Sequence, residues 1–158
     1  MATKSKKEDN ALARNKRAFY EYEILERFEA GIQLAGTEVK SLRENRWQLT
    51  DSFALIRKGE LWLNNMHIPH YSHGNIANQE PNRKRKLLMH KNQIRYLEKK
   101  VNEKGMAIVP LKIYFKKNKF VKVEIALGKG KKLHDKRESI KRKDQMRDVA
   151  AELKRKNR

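Results

Sequence analysis

Clusters of cations with an aromatic side chain among them are the most prominent candidate functional residues of this sequence. Arg83, Lys84, Arg85 and Lys86 form a compact tetrad in a predicted exposed loop, where flexible cations can reach successive phosphates without any cost to the fold. The alternative is a charge run that only faces solvent. A phosphate-binding role for the tetrad indicates nucleic acid as the partner.

A second set of cations lies on the polar face of a predicted hairpin near residues 109–127. Tyr114 lies among them and can stack on a base or a ribose, although it can also simply pack on lysine stems. The cations of this set are Lys112, Lys116, Lys117, Lys119 and Lys122. Cations interleaved with an aromatic ring again indicate nucleic-acid binding.

Histidines and carboxylates are candidates for a metal site or a catalytic site, because they supply most metal ligands and acid–base groups. His67, His70 and His73 recur at three-residue spacing, but Pro69 and Gly74 predict a loop in which helical spacing cannot align the rings. We therefore favour a solvated or RNA-facing loop over a metal site.

Two further patterns resemble catalytic sites only weakly. Glu21 and Glu23 would share one strand face and could hold a metal, but a solvated strand face is the stronger interpretation. Gly128, Gly130 and Lys131 lack the spacing of a phosphate-binding loop. The sequence thus predicts a binding protein that is not an enzyme and needs neither cofactor nor metal.

The overall charge supports a polyanionic partner. The 158 residues hold 39 lysines and arginines against 19 aspartates and glutamates, a net charge of +20. The chain has no cysteine, no apolar run long enough for a transmembrane helix and no pattern of a signal peptide, so we expect a cytoplasmic protein.

The charge is concentrated at the two ends of the chain. Residues 1–17 hold six basic and two acidic groups, and residues 128–158 hold thirteen and five, so these 48 residues carry +12 of the total. We predict a basic N-terminal arm over 1–17, a folded body over 18–127 and a basic C-terminal tail over 128–158. The tail has a thin apolar edge typical of a helix that orders only on a partner, formed by Ile140, Met146, Val149 and Leu153.

The first half of the body predicts a strand, a helix and a hairpin. Apolar and charged residues alternate over 19–34 with a phase shift near Phe28, which indicates a long bulged strand. Thr37 is the predicted N-cap of a short helix that ends near Asn45. Two apolar runs at 53–56 and 61–63 flank a turn at Lys58 and Gly59, as in a β-hairpin.

The second half predicts a loop over 69–86, the main helix over 91–103 with a C-terminal cap at Gly105, and two strands. The strands carry alternating apolar residues over 109–115 and 121–127, with a turn at Asn118. This order predicts a mainly β fold, a closed antiparallel barrel of the oligonucleotide-binding (OB) type with one longer and one or two short helices. The alternative is an open α+β sandwich.

Five separated blocks occur in order along residues 14–140. They are Asn15-Lys16-Arg17-Ala18, Phe28-Glu29-Ala30-Gly31, Gly36-Thr37-Glu38-Val39-Lys40-Ser41-Leu42-Arg43, Arg85-Lys86-Leu87-Leu88 and Gly128-Lys129-Gly130-Lys131-Lys132-Leu133-His134-Asp135-Lys136-Arg137. In this order the blocks resemble the small protein B (SmpB) family, whose members bind tmRNA, also called SsrA.

The resemblance implies an OB barrel that grips the tRNA-like domain of tmRNA and a tail that folds in the ribosome. The protein would stand in for the missing anticodon arm, so that alanyl-tmRNA can enter a stalled ribosome whose decoding site lacks a codon. The implied partners are tmRNA, small-subunit rRNA of the ribosome at the decoding site and mRNA channel, and alanyl-tmRNA in complex with elongation factor Tu. Neither DNA nor a membrane is expected.

The resemblance also implies two groups of RNA-binding residues. The tmRNA surface would consist of Glu29, Arg83, Lys84, Arg85, Lys86 and Leu88. The decoding-site motif would consist of Lys131, Lys132, His134, Asp135, Lys136 and Arg137. His134 can stack on an unpaired rRNA base, whereas a carboxylate repels phosphate, so Glu29 would have to accept hydrogen bonds from base amino groups or 2′-hydroxyls.

The sequence departs from the family pattern at two places. His90 stands where members often carry Asn, and Val149 and Leu153 stand near the position of an adjacent Ile-Met pair, so that pair is not carried over. Two other functions stay open, a ribosomal or ribosome-assembly RNA-binding protein and a small metal-dependent ribonuclease.

Overall fold

The fold is described from a computed structural model that covers residues 11–73, 78–117, 119–131 and 133–157. Residues 1–10 of the predicted arm, together with Gly74, Asn118 and Lys132, lie outside the described residues. The elements in chain order are β1 (Ala11–Arg14), α1 (Lys16–Glu21), β2 (Tyr22–Ile32), α2 (Gly36–Arg43), β3 (Phe53–Arg57), β4 (Glu60–Asn64), β5 (Arg85–Leu88), α3 (Lys91–Lys104), β6 (Ala107–Lys116), β7 (Phe120–Gly130) and α4 (Leu133–Lys156).

Six strands close into an antiparallel ring, which confirms the predicted barrel over the open sandwich. The order around the ring is β2, β5, β4, β3, β6 and β7, and β7 pairs again with β2. The seam between β3 and β6 is short, with Ala54 opposite Ile108. Strand β1 adds to the outside of the ring along β6.

The barrel is filled by aliphatic side chains, and α2 and α3 pack against it. The buried core includes Leu42 of α2 and both Ile94 and Leu97 of α3, together with residues of the strands and loops. The fully buried members are Leu42, Leu61, Leu63, Met66, Leu97, Ile113, Val123 and Ile125. Their burial is the main driving force for closing the ring.

Strand β2 is bulged as predicted, but the bulge lies before Phe28, and the strand begins later than the alternation suggested. The register with β7 shifts between Ile24 and Glu26. The predicted strand start at Phe19 was wrong, because residues up to Glu21 are helical. Asn15 stabilises this helix, since its side-chain oxygen accepts a bond of 3.3 Å from the amide of Ala18.

Helix α2 forms where it was predicted, although Thr37 is not its N-cap. Ala35 occupies the N-cap position, and Thr37 lies inside the helix. The amide of Ala35 donates to the carboxylate of Glu38 over 2.9 Å. The carboxylate at the third helical position therefore accepts the amide proton of the N-cap residue, as the glutamate of a capping box does.

The hairpin β3–β4 and the main helix α3 confirm the sequence predictions. Lys58 and Gly59 both have positive φ in the turn, and Gly105 ends α3 in the left-handed conformation. The predicted loop, in contrast, ends earlier than residue 86. Arg85 begins strand β5, which pairs with β4 and with β2.

Strands β6 and β7 form the predicted antiparallel pair. The alternation of inward and outward residues in β6 is interrupted once, however, by a bulge. The register shifts between Pro110 and Lys112. Because of this bulge, Val109 and Leu111 pack on a small outer cluster under α1, while Ile113 lies in the main core. The bulge bends the strand so that it covers both the barrel and the helix.

The tail contains helix α4, in agreement with the helical pattern of its thin apolar edge. Helix α4 contacts α1, and Lys131, just before α4, forms hydrogen bonds to residues of α1. The amide of Lys131 donates to the carbonyl of Glu21 over 2.9 Å, and its ammonium donates to the carbonyl of Phe19 over 3.0 Å. Among the described residues, no helix is both long and apolar enough to cross a membrane.

Candidate nucleic-acid interface

A continuous row of residues crosses four neighbouring strands on the outside of the barrel. The register places Leu88 of β5 opposite Gly31 of β2, Gly31 opposite Lys122 of β7, and Lys122 opposite Tyr114 of β6. Leu88 is 52% exposed despite being a leucine. A row with an exposed apolar residue at one end and a lysine and a tyrosine at the other suits a polar ligand with apolar faces.

Gly31 allows the close approach of its two neighbours in this row. A Cβ atom at position 31 would lie 3.3 Å from Cβ of Leu88 and 3.7 Å from Nζ of Lys122. The absence of a side chain therefore lets Leu88 and Lys122 share one continuous surface.

The carboxylate of Glu29 lies beside this row and is held by two side chains of β6. Lys116 Nζ donates to Glu29 Oε1 over 2.8 Å, and the hydroxyl of Tyr114 donates to Oε2. The bond from Lys116, followed by that from Tyr114, lowers the pKa of Glu29. Lys116 also compensates its negative charge, which reduces the repulsion that we expected between this residue and phosphate.

The ring of Tyr114 lies under a lysine ammonium. Nζ of Lys112 is 5.4 Å from the centroid of the ring and 3.3 Å from the carboxylate of Glu124. Tyr114 therefore packs against a lysine side chain, which is the alternative to stacking on a base or a ribose given by the sequence.

The basic tetrad is not a uniformly exposed loop. Lys84 is exposed, and Lys86 Nζ lies 3.0 Å from a carboxylate oxygen of Glu60. The side chain of Arg85, by contrast, is 0% exposed. The interpretation of this segment as an exposed loop was therefore wrong for Arg85.

Glu38 joins the two arginines of the tetrad to helix α2. Arg85 Nε donates to Glu38 Oε2 over 2.6 Å, and Arg83 Nε donates to Oε1 over 3.1 Å. Burial raises the pKa of Glu38, but the bonds from Arg83, Ala35 and Arg85 outweigh it and lower the pKa overall. The sequence analysis missed this role of Glu38, although a glutamate three residues after an N-cap is a recognisable signal.

Arg85 also fixes the loops that precede β5. Its guanidinium donates to the carbonyls of Met66 over 2.6 Å and of Pro81 over 2.9 Å. A buried guanidinium with all of these partners does not present its charge to a ligand. It supports the backbone on which Lys84 is exposed.

The residues that the family resemblance assigns to the decoding-site motif lie where the barrel meets the tail. Lys131 follows β7, and His134, Asp135, Lys136 and Arg137 lie in the first turns of α4. Arg137 is exposed, and Lys132 lies outside the described residues. The motif is therefore separated in sequence and in structure from the outer row of the barrel.

The weaker candidates do not converge on a site. Glu21 lies on α1 and forms a 2.8 Å ion pair with Arg17, so it does not share a strand face with Glu23. His67 Nδ1 lies 2.9 Å from the side-chain oxygen of Asn82. Within the described parts of the chain, no three histidines or carboxylates are grouped as metal ligands.

The closed barrel, its basic outer row and its basic tail define a protein of the oligonucleotide-binding barrel class. The family model described as SmpB protein matches residues 12–155, which is most of the chain. The chain belongs to the SmpB family.

Individual relatives agree with this assignment. The SsrA-binding protein of Ligilactobacillus salivarius is 53% identical over 151 residues, which are 96% of this chain and 97% of that protein. The SsrA-binding protein of Trichormus variabilis is 57% identical and covers 89% of this chain and 90% of its own. A chain in a solved structure described as "tmRNA-SmpB: a journey to the center of the bacterial ribosome" is 51% identical with a TM-score of 0.65, and the match covers 78% of this chain and 86% of that chain.

Proposed function

We propose that this protein binds tmRNA and acts with it in trans-translation on stalled ribosomes. The observation that carries the proposal is the identity of more than half of the residues to SsrA-binding proteins over nearly the whole chain. The likeness to a chain from a tmRNA–SmpB structure supports it independently at the level of the fold.

The barrel binds the tRNA-like domain of tmRNA through its outer row, together with Glu29 beside the row and Lys84 just before β5. Leu88 offers an apolar surface to a ribose or base, Lys84 contacts phosphate, and Glu29 accepts a hydrogen bond from an amino group or a 2′-hydroxyl. Arg83 and Arg85 act mainly by holding the loop that bears Lys84, because both bond to Glu38. Lys86 adds positive charge at the margin of this surface.

The tail binds the ribosome, at the decoding site and in the mRNA channel of the small subunit. Lys131, Lys132, Lys136 and Arg137 provide the charge, His134 stacks on an unpaired base, and Asp135 accepts hydrogen bonds. Barrel and tail together substitute for the anticodon arm that the RNA lacks. Alanyl-tmRNA with elongation factor Tu is the form delivered, and the bacterial cytoplasm is the place of action.

This function requires binding and no catalysis. The ribonuclease alternative loses its support because Glu21 is paired with Arg17 rather than aligned with Glu23. A ribosomal or assembly protein would use the same kind of barrel, but it would show no preference for tmRNA over bulk rRNA.

A competition experiment tests the proposal. The full-length protein is bound to labelled tmRNA against an excess of rRNA, and the RNA retained from a bacterial lysate is sequenced. We expect strong enrichment of tmRNA and an affinity that falls on the order of a thousandfold between low and physiological salt if about six to ten phosphates are engaged. Retention of rRNA in proportion to its abundance would contradict the proposal, as would RNA cleavage in magnesium that EDTA abolishes.

A further inference from the structure

The tip of the β6–β7 hairpin carries an aromatic ring that no interaction within the barrel explains. Phe120 is 58% exposed, the largest value for a phenylalanine, tyrosine or tryptophan in the described residues. Exposing so much apolar surface is unfavourable, because a phenylalanine side chain gains about 1.5–3 kcal/mol on full burial. A single exposed ring is common on protein surfaces, so its meaning depends on the side chains around it.

The surroundings of the ring are cationic. Lys116 lies opposite Phe120 in the register of the hairpin, and Lys117 and Lys119 are exposed beside it. Val121, the next residue, packs against the core, so it adds no apolar surface around the ring. A ligand that fits must combine a flat apolar face with negative charge.

The ring is also continuous with the outer row of the barrel. Phe120 and Lys122 are two residues apart on β7 and so point to the same side of the sheet, roughly 7 Å apart along the strand. Lys122 belongs to the row with Gly31 and Tyr114. A ligand that lies along this row reaches the hairpin tip without a break.

We infer that Phe120 is a stacking platform for one unpaired nucleobase of the RNA that the barrel holds, with Lys117 and Lys119 on the flanking phosphates. The inference rests on the proposed function and adds a contact to it. A nucleotide provides both the flat face and the negative charge that the tip requires, whereas an acidic peptide provides only the charge. Every base has such a face, so Phe120 contributes affinity without selecting the base.

The test compares Phe120→Ala with Phe120→Trp in binding to the tRNA-like domain of tmRNA. Phe53→Ala is a matched control, because Phe53 is also exposed, on β3 and outside the row. We expect Phe120→Ala to weaken binding about tenfold, Phe120→Trp to retain it, and Phe53→Ala to leave it unchanged. The salt dependence of binding should stay the same in Phe120→Ala and should become weaker when Lys117 and Lys119 are both changed to Ala.

The outcomes separate this inference from the proposed function. If the wild-type protein prefers tmRNA and Phe120→Ala binds equally well, the inference is wrong while the proposed function stands. If Phe120→Ala binds tmRNA normally but lowers tagging on ribosomes, the ring serves rRNA or a ribosomal protein, and the assignment to tmRNA is overturned. Absence of any preference of the wild-type protein for tmRNA would overturn the proposed function itself.

Discussion

Glu38 of α2 and Arg85 of β5 form an ion pair inside the protein, although 47 residues separate them in the sequence. Both side chains are at most 4% exposed. The same carboxylate also bonds to Arg83, so the segment before β5 is anchored on both sides of Lys84. The charge of this segment is therefore divided between a structural pair and an exposed lysine.

The first prediction separates these two roles by mutation. Arg85→Ala should destabilise the fold by about 3–5 kcal/mol, because it leaves Glu38 buried with one of its two arginine partners gone and leaves the carbonyls of Met66 and Pro81 without their bonds from Arg85. Lys84→Ala is the matched control and should leave the free energy of unfolding within about 0.5 kcal/mol, while it weakens binding to tmRNA. Urea unfolding gives the stability of both variants. Equal stability of Arg85→Ala and the wild type would show that the pair is not structural.

The second prediction concerns the stability of the fold at low pH. The pKa of Glu38 is below its ordinary value of 4.5, so the folded state binds its proton less well than the unfolded state does. This difference adds stability that is fully present above about pH 4.5 and is lost as the pH falls toward the lower folded pKa. Glu38→Gln should remove part of the acid dependence, measured as the midpoint of unfolding between pH 6 and 3. A variant with the same pH profile as the wild type would exclude Glu38 as a source.

The sequence predicted the elements that have a clear periodicity. Strands β6 and β7 alternate over most of their length, and α3 ends at a glycine, so both follow from local rules. Strand β5 was missed because it has only four residues and begins with two cations, Arg85 and Lys86. The charge of its inward arginine is compensated by Glu38, and no local pattern indicates a partner so far away.

The candidate site, too, was predictable only in part, because it depends on contacts between residues that are distant in the sequence. Its residue types can be read from the sequence, whereas their arrangement depends on strand register. Gly31 is placed between Leu88 and Lys122 by the pairing of three strands. The bond from Tyr114 to Glu29 spans 85 residues and likewise depends on the closed barrel.

The third prediction tests that bond. Tyr114→Phe removes the hydroxyl that donates to Glu29 and should weaken tmRNA binding several-fold, because the carboxylate loses one of the two side chains that hold it in place for the RNA. Tyr96→Phe is the matched control, since the hydroxyl of Tyr96 donates to Glu26 away from the row. In a Glu29→Ala background, Tyr114→Phe should add no further loss. A full additional loss there would mean that Tyr114 contacts RNA independently of Glu29.

The last prediction separates the barrel from its tail. A chain that ends at Gly130 keeps all of β7 and the outer row and loses the bonds from Lys131 to α1 and the contacts of α4 with α1, so its fold should be weakened little. Binding to tmRNA should stay nearly intact. Transfer of alanine from tmRNA to the stalled peptide should be abolished, because the cations and the imidazole of the decoding-site motif are gone. His134→Ala should be milder than the truncation, since the loss of one stacked ring costs about 1–3 kcal/mol while the neighbouring cations remain. A truncated protein that supports transfer at the full rate, or that no longer binds tmRNA, would contradict this division of labour.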